Sequence, residues 1–370
     1  SLSTQGSHGT LIDTIDYTIT AGGGRLLKQW LHRPLTNKTK LEERLNIVEI
    51  MLKEKSIMSS LRNNLKNAID VERIITKINK RIASPRDLIG LSNTFDIYDN
   101  CISDIDLFKQ LNKLKNRYSS LMHLKKQINS NINEDCPVAI KKGNVIKNGV
   151  NKELDEYRNI LNNGKEWINT FQNNEREEFR IPSLKVGFNK VFGYYIEITK
   201  THQDKVPESY IRKQTLVNSE RYITPELKGY EETVLKAEEK LKDREFDLFI
   251  GLRNDVSEWT TQIQQIARSI ACIDVLSSFA ESAILQGYVR PKVDDSKVIN
   301  IQQGRHPVVE QQLRDGKFVA NDICMDSIKD QILLITGPNM SGKSTIIRQV
   351  GIIVILAQIG SFVPAESAQI

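Results

Sequence analysis

A multidomain fold is what this sequence predicts: mostly α-helical, with a small inserted β-rich module and an α/β segment near the end. Three observations carry that expectation. Leu252, Val256, Trp259, Ile263, Ile266, Ile270 and Ile273 recur at alternating spacings of four and three, an apolar seam along a long helix. From Leu184 to Thr199 the period changes to two, with Leu184, Val186 and Phe188, then Ile196 and Ile198, flanking Asn189-Lys190 and Gly193, as in a β-hairpin. Finally, Gly337 to Ser344 fits the G-x-x-x-x-G-K-[ST] pattern between an apolar run, Ile332–Thr336, and a helical segment.

In chain order, residues 24–127 read as successive helices. Leu41, Leu45 and Val48 keep helical spacing, and so do Leu61, Leu65 and Ile69. Ser84-Pro85 is a helix start, with Ser84 as N-cap and Pro85 at the first helical position. Residues 135–148 break into a loop or short strand, and 150–178 return to a charged helix. The β module follows Arg180-Ile181-Pro182, with a further strand-rich piece from Arg212 to Ile223. Between positions 185 and 228 eight Lys and Arg stand against five Asp and Glu, a local net charge of +3. Thr224-Pro225 opens the next helix, and no proline recurs until Pro291, so a single rod to about Leu285 is expected, roughly 90 Å long at 1.5 Å per residue. From Lys297 the pattern turns α/β.

Composition narrows the function classes. Hydrophobic content of 39% and charged content of 26% suit a chain able to bury a core. The net charge of +6 permits a polyanionic partner without demanding one. Cys101, Cys136, Cys272 and Cys324 lie far apart with no C-x-x-C, so neither a disulfide framework nor a zinc site is indicated, and a reduced, cytosolic setting is expected. The run Val350–Ala357 is too short to span a bilayer and reads as the helix after the glycine loop, apolar all round through burial against a sheet.

The loop carries the chemistry. Its glycines let successive N–H groups converge on phosphate oxygens at a helix N-terminus, where partial positive charge gathers. Lys343 would reach the β- and γ-phosphates, and the Ser344 hydroxyl would ligate Mg²⁺. Twenty-six residues follow Ser344, too few for the acidic strand that completes such a metal site and for a water-orienting group. The chain is therefore expected to be an internal piece of a longer protein.

The loop and its surroundings closely resemble the MutS DNA mismatch-repair family. The likeness rests on Thr336 to Thr345, on Ile347-Arg348-Gln349, and on Ala357-Gln358-Ile359-Gly360-Ser361-Phe362-Val363-Pro364-Ala365. Upstream it includes Gly304-Arg305-His306-Pro307-Val308-Val309-Glu310, Phe318-Val319-Ala320-Asn321, Val186-Gly187-Phe188-Asn189, Gly193-Tyr194-Tyr195-Ile196, Glu220-Arg221-Tyr222 and Gly24 to Leu31. Asn339-Met340 inside the loop is characteristic of that family, while Ser341 and Ile346 stand where it often has Gly and Tyr. The resemblance implies an all-α core and lever with long helices (1–169 and 225–290), an inserted β-rich DNA clamp (170–224), and the start of an α/β P-loop ATPase domain of the ABC type (297–370). It implies ATP or ADP with Mg²⁺ held by Gly337, Pro338, Asn339, Met340, Ser341, Gly342, Lys343, Ser344 and Thr345, with Phe318 flanking adenine. Lys343 and Ser344 are the catalytic candidates, and Ser344 the metal ligand. Asn189, Lys190, Arg212 and Lys213 are the candidates for DNA phosphate contacts. Mismatched double-stranded DNA, a homodimer and MutL are the implied partners.

Two features of the sequence are decoys. Phe279-Ala280-Glu281 copies the family's mismatch-reading triplet but lies late in the long helix, where Phe279 reads as packing. His306 in its Arg-His-Pro turn reads as structural. The alternatives are a MutS-type paralogue acting in recombination, against which the clamp-like insert counts, and a helical DNA-binding scaffold with a non-hydrolysing P-loop.

Overall fold

The computed structural model describes residues 9–104, 121–189, 191, 193–313, 318–339 and 341–370. It is rich in helix, with two small antiparallel sheets. Two compact units divide the chain. One holds Ser1–Ala83, Gly90–Lys126 and Val256–Ile370; the other holds Ser84–Ile89 and Gln127–Asp255.

In the first unit, helices α1 (Leu11–Ile15), α2 (Ala21–His32), α3 (Lys38–Lys53), α4 (Lys55–Leu65) and α5 (Val71–Asn79) pack against α11 (Thr260–Gln286). Leu41, Leu45 and Val48 are buried, as their spacing predicts. Ile69 departs from its expected place, because α4 ends at Leu65 and Asp70 caps α5 by accepting from the Arg73 N–H. The seam side chains Val256, Ile263, Ile266, Ile270 and Ile273 are all buried. Phe279 is fully buried against Trp30, its ring 6.2 Å away, which makes it packing as expected. By length and composition α11 could cross a membrane, but 72% of its most apolar window is buried within the fold.

The expected single rod is two helices. Helix α10 (Pro225–Glu258) stops one residue before α11. At Trp259 ψ is 11° rather than helical, and its N–H bonds the Val256 carbonyl three residues back at 3.1 Å. The Thr260 hydroxyl takes the Ser257 carbonyl at 2.7 Å. A tightened turn closed by a side-chain donor breaks the rod without proline or glycine.

The α/β segment forms a three-stranded antiparallel sheet in the order β6-β5-β7, from β5 (Ile299–Gly304), β6 (Asn321–Met325) and β7 (Ser367–Gln369). Helix α12 (Pro307–Gln312) follows β5, and α13 (Lys343–Ile359) follows the glycine loop. The buried strand expected at Ile332–Thr336 is absent. Those residues are irregular, with Ile332 and Leu334 each 88% exposed. A central strand needs partners for its backbone groups, and no strand pairs with 332–336 among the described residues. For the same reason α13 buries only one side: Ile353 and Leu356 are enclosed while Ile347 is 63% exposed.

The second unit holds the start of α6 (Pro85–Asp104), which continues in the first from Gly90 and begins at the predicted cap. The Ser84 hydroxyl accepts from the Asp87 N–H at 3.3 Å, and the Asp87 carboxylate answers the Ser84 N–H at 2.8 Å. The helical residues 121–131 (α7) lead into a short antiparallel bridge between Ile132 and Ile146. The expected charged helix over 150–178 is two, α8 (Lys152–Asn162) and α9 (Gly164–Phe179), broken where Gly164 follows Asn163. A four-stranded antiparallel sheet follows, in the order β1-β2-β4-β3, from β1 (Lys185–Asn189), β2 (Gly193–Thr199), β3 (Ile211–Thr215) and β4 (Ser219–Ile223). Its inner face joins Ile196, Ile198 and Tyr222 to Phe171, Ile181 and Leu184. Thr224 caps α10, its hydroxyl accepting from the Leu227 N–H at 3.1 Å.

Candidate functional site

The glycine loop is set by backbone conformation. Gly337 (φ 153°) and Gly342 (φ 88°) occupy regions closed to ordinary side chains, and a Cβ on Gly337 would stand 2.8 Å from the Ser341 hydroxyl. Gly342 is the N-cap of α13, so Lys343 and Ser344 are its first two residues. The Thr345 and Ile346 N–H groups turn back to the Gly342 carbonyl at 2.9 and 3.0 Å. Lys343 folds its ammonium onto the loop, donating to the Gly337 carbonyl and, at 3.1 Å, to that of Pro338. Pro338, Asn339, Ser341 and Ser344 are exposed. Met340 lies outside the described residues. Phe318 is half-buried three residues before β6, and no hydrogen bond or ring contact among the described residues joins it to the loop.

The candidate DNA contacts of the β module do not cluster. Asn189 ends edge strand β1 and accepts the Val191 N–H at 2.7 Å, an Asx turn at the hairpin tip. Arg212 and Lys213 belong to the other edge strand, β3, at least about 14 Å away across three strand spacings. Lys213 sits where the register shifts between Arg212 and Gln214, and such a bulge re-aims a side chain. It is exposed. Arg212 pairs with the buried Glu220 at 3.3 Å. The Tyr222 hydroxyl, and then Arg212, hold the Glu220 carboxyl below the usual carboxylate range. Burial, with the Glu220 bond added, pushes the Tyr222 hydroxyl up to about 12. Lys190 lies outside the described residues.

One cation on this sheet escaped the sequence reading. Arg221 projects from the face opposite Tyr222, bonding Glu197 at 2.9 Å and Gln214 at 3.0 Å, with its guanidinium 4.3 Å from the Tyr195 ring. Its signal was present in the alternation Glu220-Arg221-Tyr222, which puts a cation outward between two inward side chains. The turn at 216–218, where Val217 is 86% exposed, was missed as well. Among the described residues no group of His, Cys, Asp and Glu is arranged to hold a metal.

These features define a multidomain, mostly helical protein with a small antiparallel β insert. The family model described as MutS domain III matches residues 1–280, and that described as MutS domain V matches 333–370. The chain belongs to the MutS family. It is 46% identical, over its whole length, to the DNA mismatch repair protein MutS of Salinibacter ruber, of which it covers 41%. It is 45% identical, over 98% of its length, to the proteins of that name from Clostridium tetani and Halothermothrix orenii, covering 41% and 40% of them. The chain thus spans about two fifths of the length of the curated relatives it matches.

Proposed function

We propose that the chain forms the helical core, the DNA clamp and the leading part of the P-loop ATPase of an ATP-dependent DNA mismatch-recognition protein. Residues 1–169 and 225–290 act as core and lever, 170–224 as clamp, and 297–370 as the first part of the ATPase. The observation that carries the reading is the loop at the start of α13, in a chain whose family relatives are named for DNA mismatch repair.

The loop residues fit a nucleotide phosphate. Two glycines in open conformations give the loop its turn, with the Ser341 N–H closed onto the Pro338 carbonyl at 3.3 Å, and among the described residues Lys343 is held by carbonyls that a phosphate oxygen would replace. Gly337 to Thr345, with Met340 among them, would cradle the phosphates of ATP or ADP, and Phe318 would flank the base. Ser344, exposed on the first turn of α13, would ligate Mg²⁺. When bound, the metal supplies charge neutralisation at the phosphates. Lys343 meets the remaining negative charge, and the α13 N-terminus adds its dipole. The clamp strands hold duplex DNA by its backbone through Asn189, Lys190, Arg212 and Lys213, which fixes position without reading bases. In the whole protein, a homodimer of the bacterial cytosol, exchange of ADP for ATP releases the clamp to slide and recruits MutL.

Nucleotide titration tests this. The chain is expected to bind Mg²⁺–ATP weakly and to turn none over, with binding lost in Lys343→Ala. Binding indifferent to that change overturns the loop assignment. Steady hydrolysis abolished by it overturns the expectation of binding without turnover.

A further inference from the structure

We propose that the cavity between α4 and the end of α11 binds a phosphate-type oxyanion, independently of the glycine loop. The cavity encloses about 420 Å³, within the roughly 300–1,000 Å³ of small-molecule sites. On α4, Lys55, Ser59 and Arg62, with Lys66 at its C-cap, follow at spacings of four, three and four, so they share one helix face. All four line the cavity, whose apolar wall is Ile19, Met58 and Ile284.

Arg62 sits at the centre of this face. Its Nη2 donates to the Tyr17 carbonyl at 3.1 Å, and its Nε stands 3.8 Å from the Glu281 carboxylate. Its Nη1 is buried and has no acceptor among the described residues. A guanidinium is a rigid planar fork that cannot shed its charge, so a buried nitrogen with unspent N–H groups calls for an oxygen acceptor. Phosphate and carboxylate oxygens match that fork in pairs. The surrounding charge favours the phosphate. Lys55, Arg62 and Lys66 line the cavity with one carboxylate, Glu281, and although the buried Asp274 also feels Arg62, a positive surplus is left for an anion. The Ser59 hydroxyl and Asn63 amide add neutral donors at the rim, and Lys66 already rests on Asn63 at 3.0 Å.

Calorimetric titration with inorganic phosphate, run in a Lys343→Ala background so that the glycine loop cannot contribute, tests the site. Saturable binding is expected, equal to that of a second site in the unaltered chain. Lys55→Ala with Lys66→Ala, both exposed and outside the core, should weaken it about tenfold. Arg62→Gln should abolish it, with circular dichroism confirming the fold. Glu281→Gln should tighten it, because the ligand competes with that carboxylate for Arg62. No saturable binding at millimolar phosphate overturns the proposal and assigns the Nη1 position to solvent. So does unchanged affinity in the double lysine variant, or weaker binding in Glu281→Gln.

Discussion

The buried Asp274 carboxylate of α11 ties down the start of α2 through Thr20. It accepts the Thr20 N–H at 2.7 Å, the Thr20 hydroxyl at 2.6 Å and the Ile19 N–H at 2.9 Å. The same hydroxyl accepts from the Gly23 N–H at 2.9 Å, so one threonine both caps α2 and binds a residue 254 positions away. Thr20→Val should cost about 1–2 kcal/mol through the lost cap and donor. Asp274→Ala should cost more, because it strands two backbone N–H groups. A Cβ on Gly23 would stand 2.2 Å from an Asp274 oxygen, so Gly23→Ala should destabilise although alanine is the better helix former. Urea unfolding midpoints rank the three, and a neutral Gly23→Ala rejects the packing described.

His306 gives the fold a pH dependence. It caps α12, its Nδ1 accepting from the Val309 N–H at 3.3 Å, so it is structural as its turn predicted. Burial, and then the Arg348 charge, push its pKa below 6.5. A histidine depressed in the folded state contributes stability that is complete above its unfolded value and is lost as pH falls through the folded one. Unfolding free energy should therefore drop as pH is lowered from 6.5. His306→Asn keeps an acceptor that cannot titrate and should flatten the slope. Parallel pH profiles for the two proteins would refute the assignment.

DNA affinity should fall linearly on a logarithmic salt scale, since counterion release dominates backbone binding. Lys213→Ala should lower the slope by about one, with no change in sequence preference. Arg212→Ala should lower it less, because Glu220 already engages that guanidinium. Equal affinity at low and physiological salt would remove residues 170–224 from consideration as a clamp.

Ile263→Pro tests the lever. It deletes the N–H that bonds the Trp259 carbonyl at 3.0 Å, next to the break between α10 and α11, at about 3 kcal/mol or more. Ile263→Ala keeps that bond and loses only packing. In the full-length protein, ATP-triggered DNA dissociation should slow in the proline variant and persist in the alanine one. A folded proline variant that releases DNA at the normal rate would show that the helix only packs.

What could be read beforehand was local. Ser84 and Thr224 were legible as caps because a cap is written within four residues, and the β hairpin because alternation needs only its own strand. The break at Trp259 was not, since it depends on a Thr260 hydroxyl that any helix could have left in solvent. The Arg212–Glu220 pair depends on the register of β3 against β4 and on the bulge at Lys213, which no periodicity encodes. Asp274 could not be singled out from its own helix, because its partners Ile19 and Thr20 lie at the other end of the chain. The loop glycines were legible, whereas the irregular state of 332–336 was not, because an apolar run cannot announce whether a neighbouring strand stands beside it.

That irregular run has a practical consequence. Gln331-Ile332-Leu333-Leu334-Ile335-Thr336 is uncharged, free of proline and rich in β-forming side chains, and most of it faces solvent. Such a segment is a template for intermolecular pairing. Concentrated solutions of the chain should self-associate, with light scattering rising steeply with protein concentration. Replacing Leu333 by lysine should suppress the scattering while leaving the unfolding midpoint in place, since a charge there interrupts stacking without touching the core.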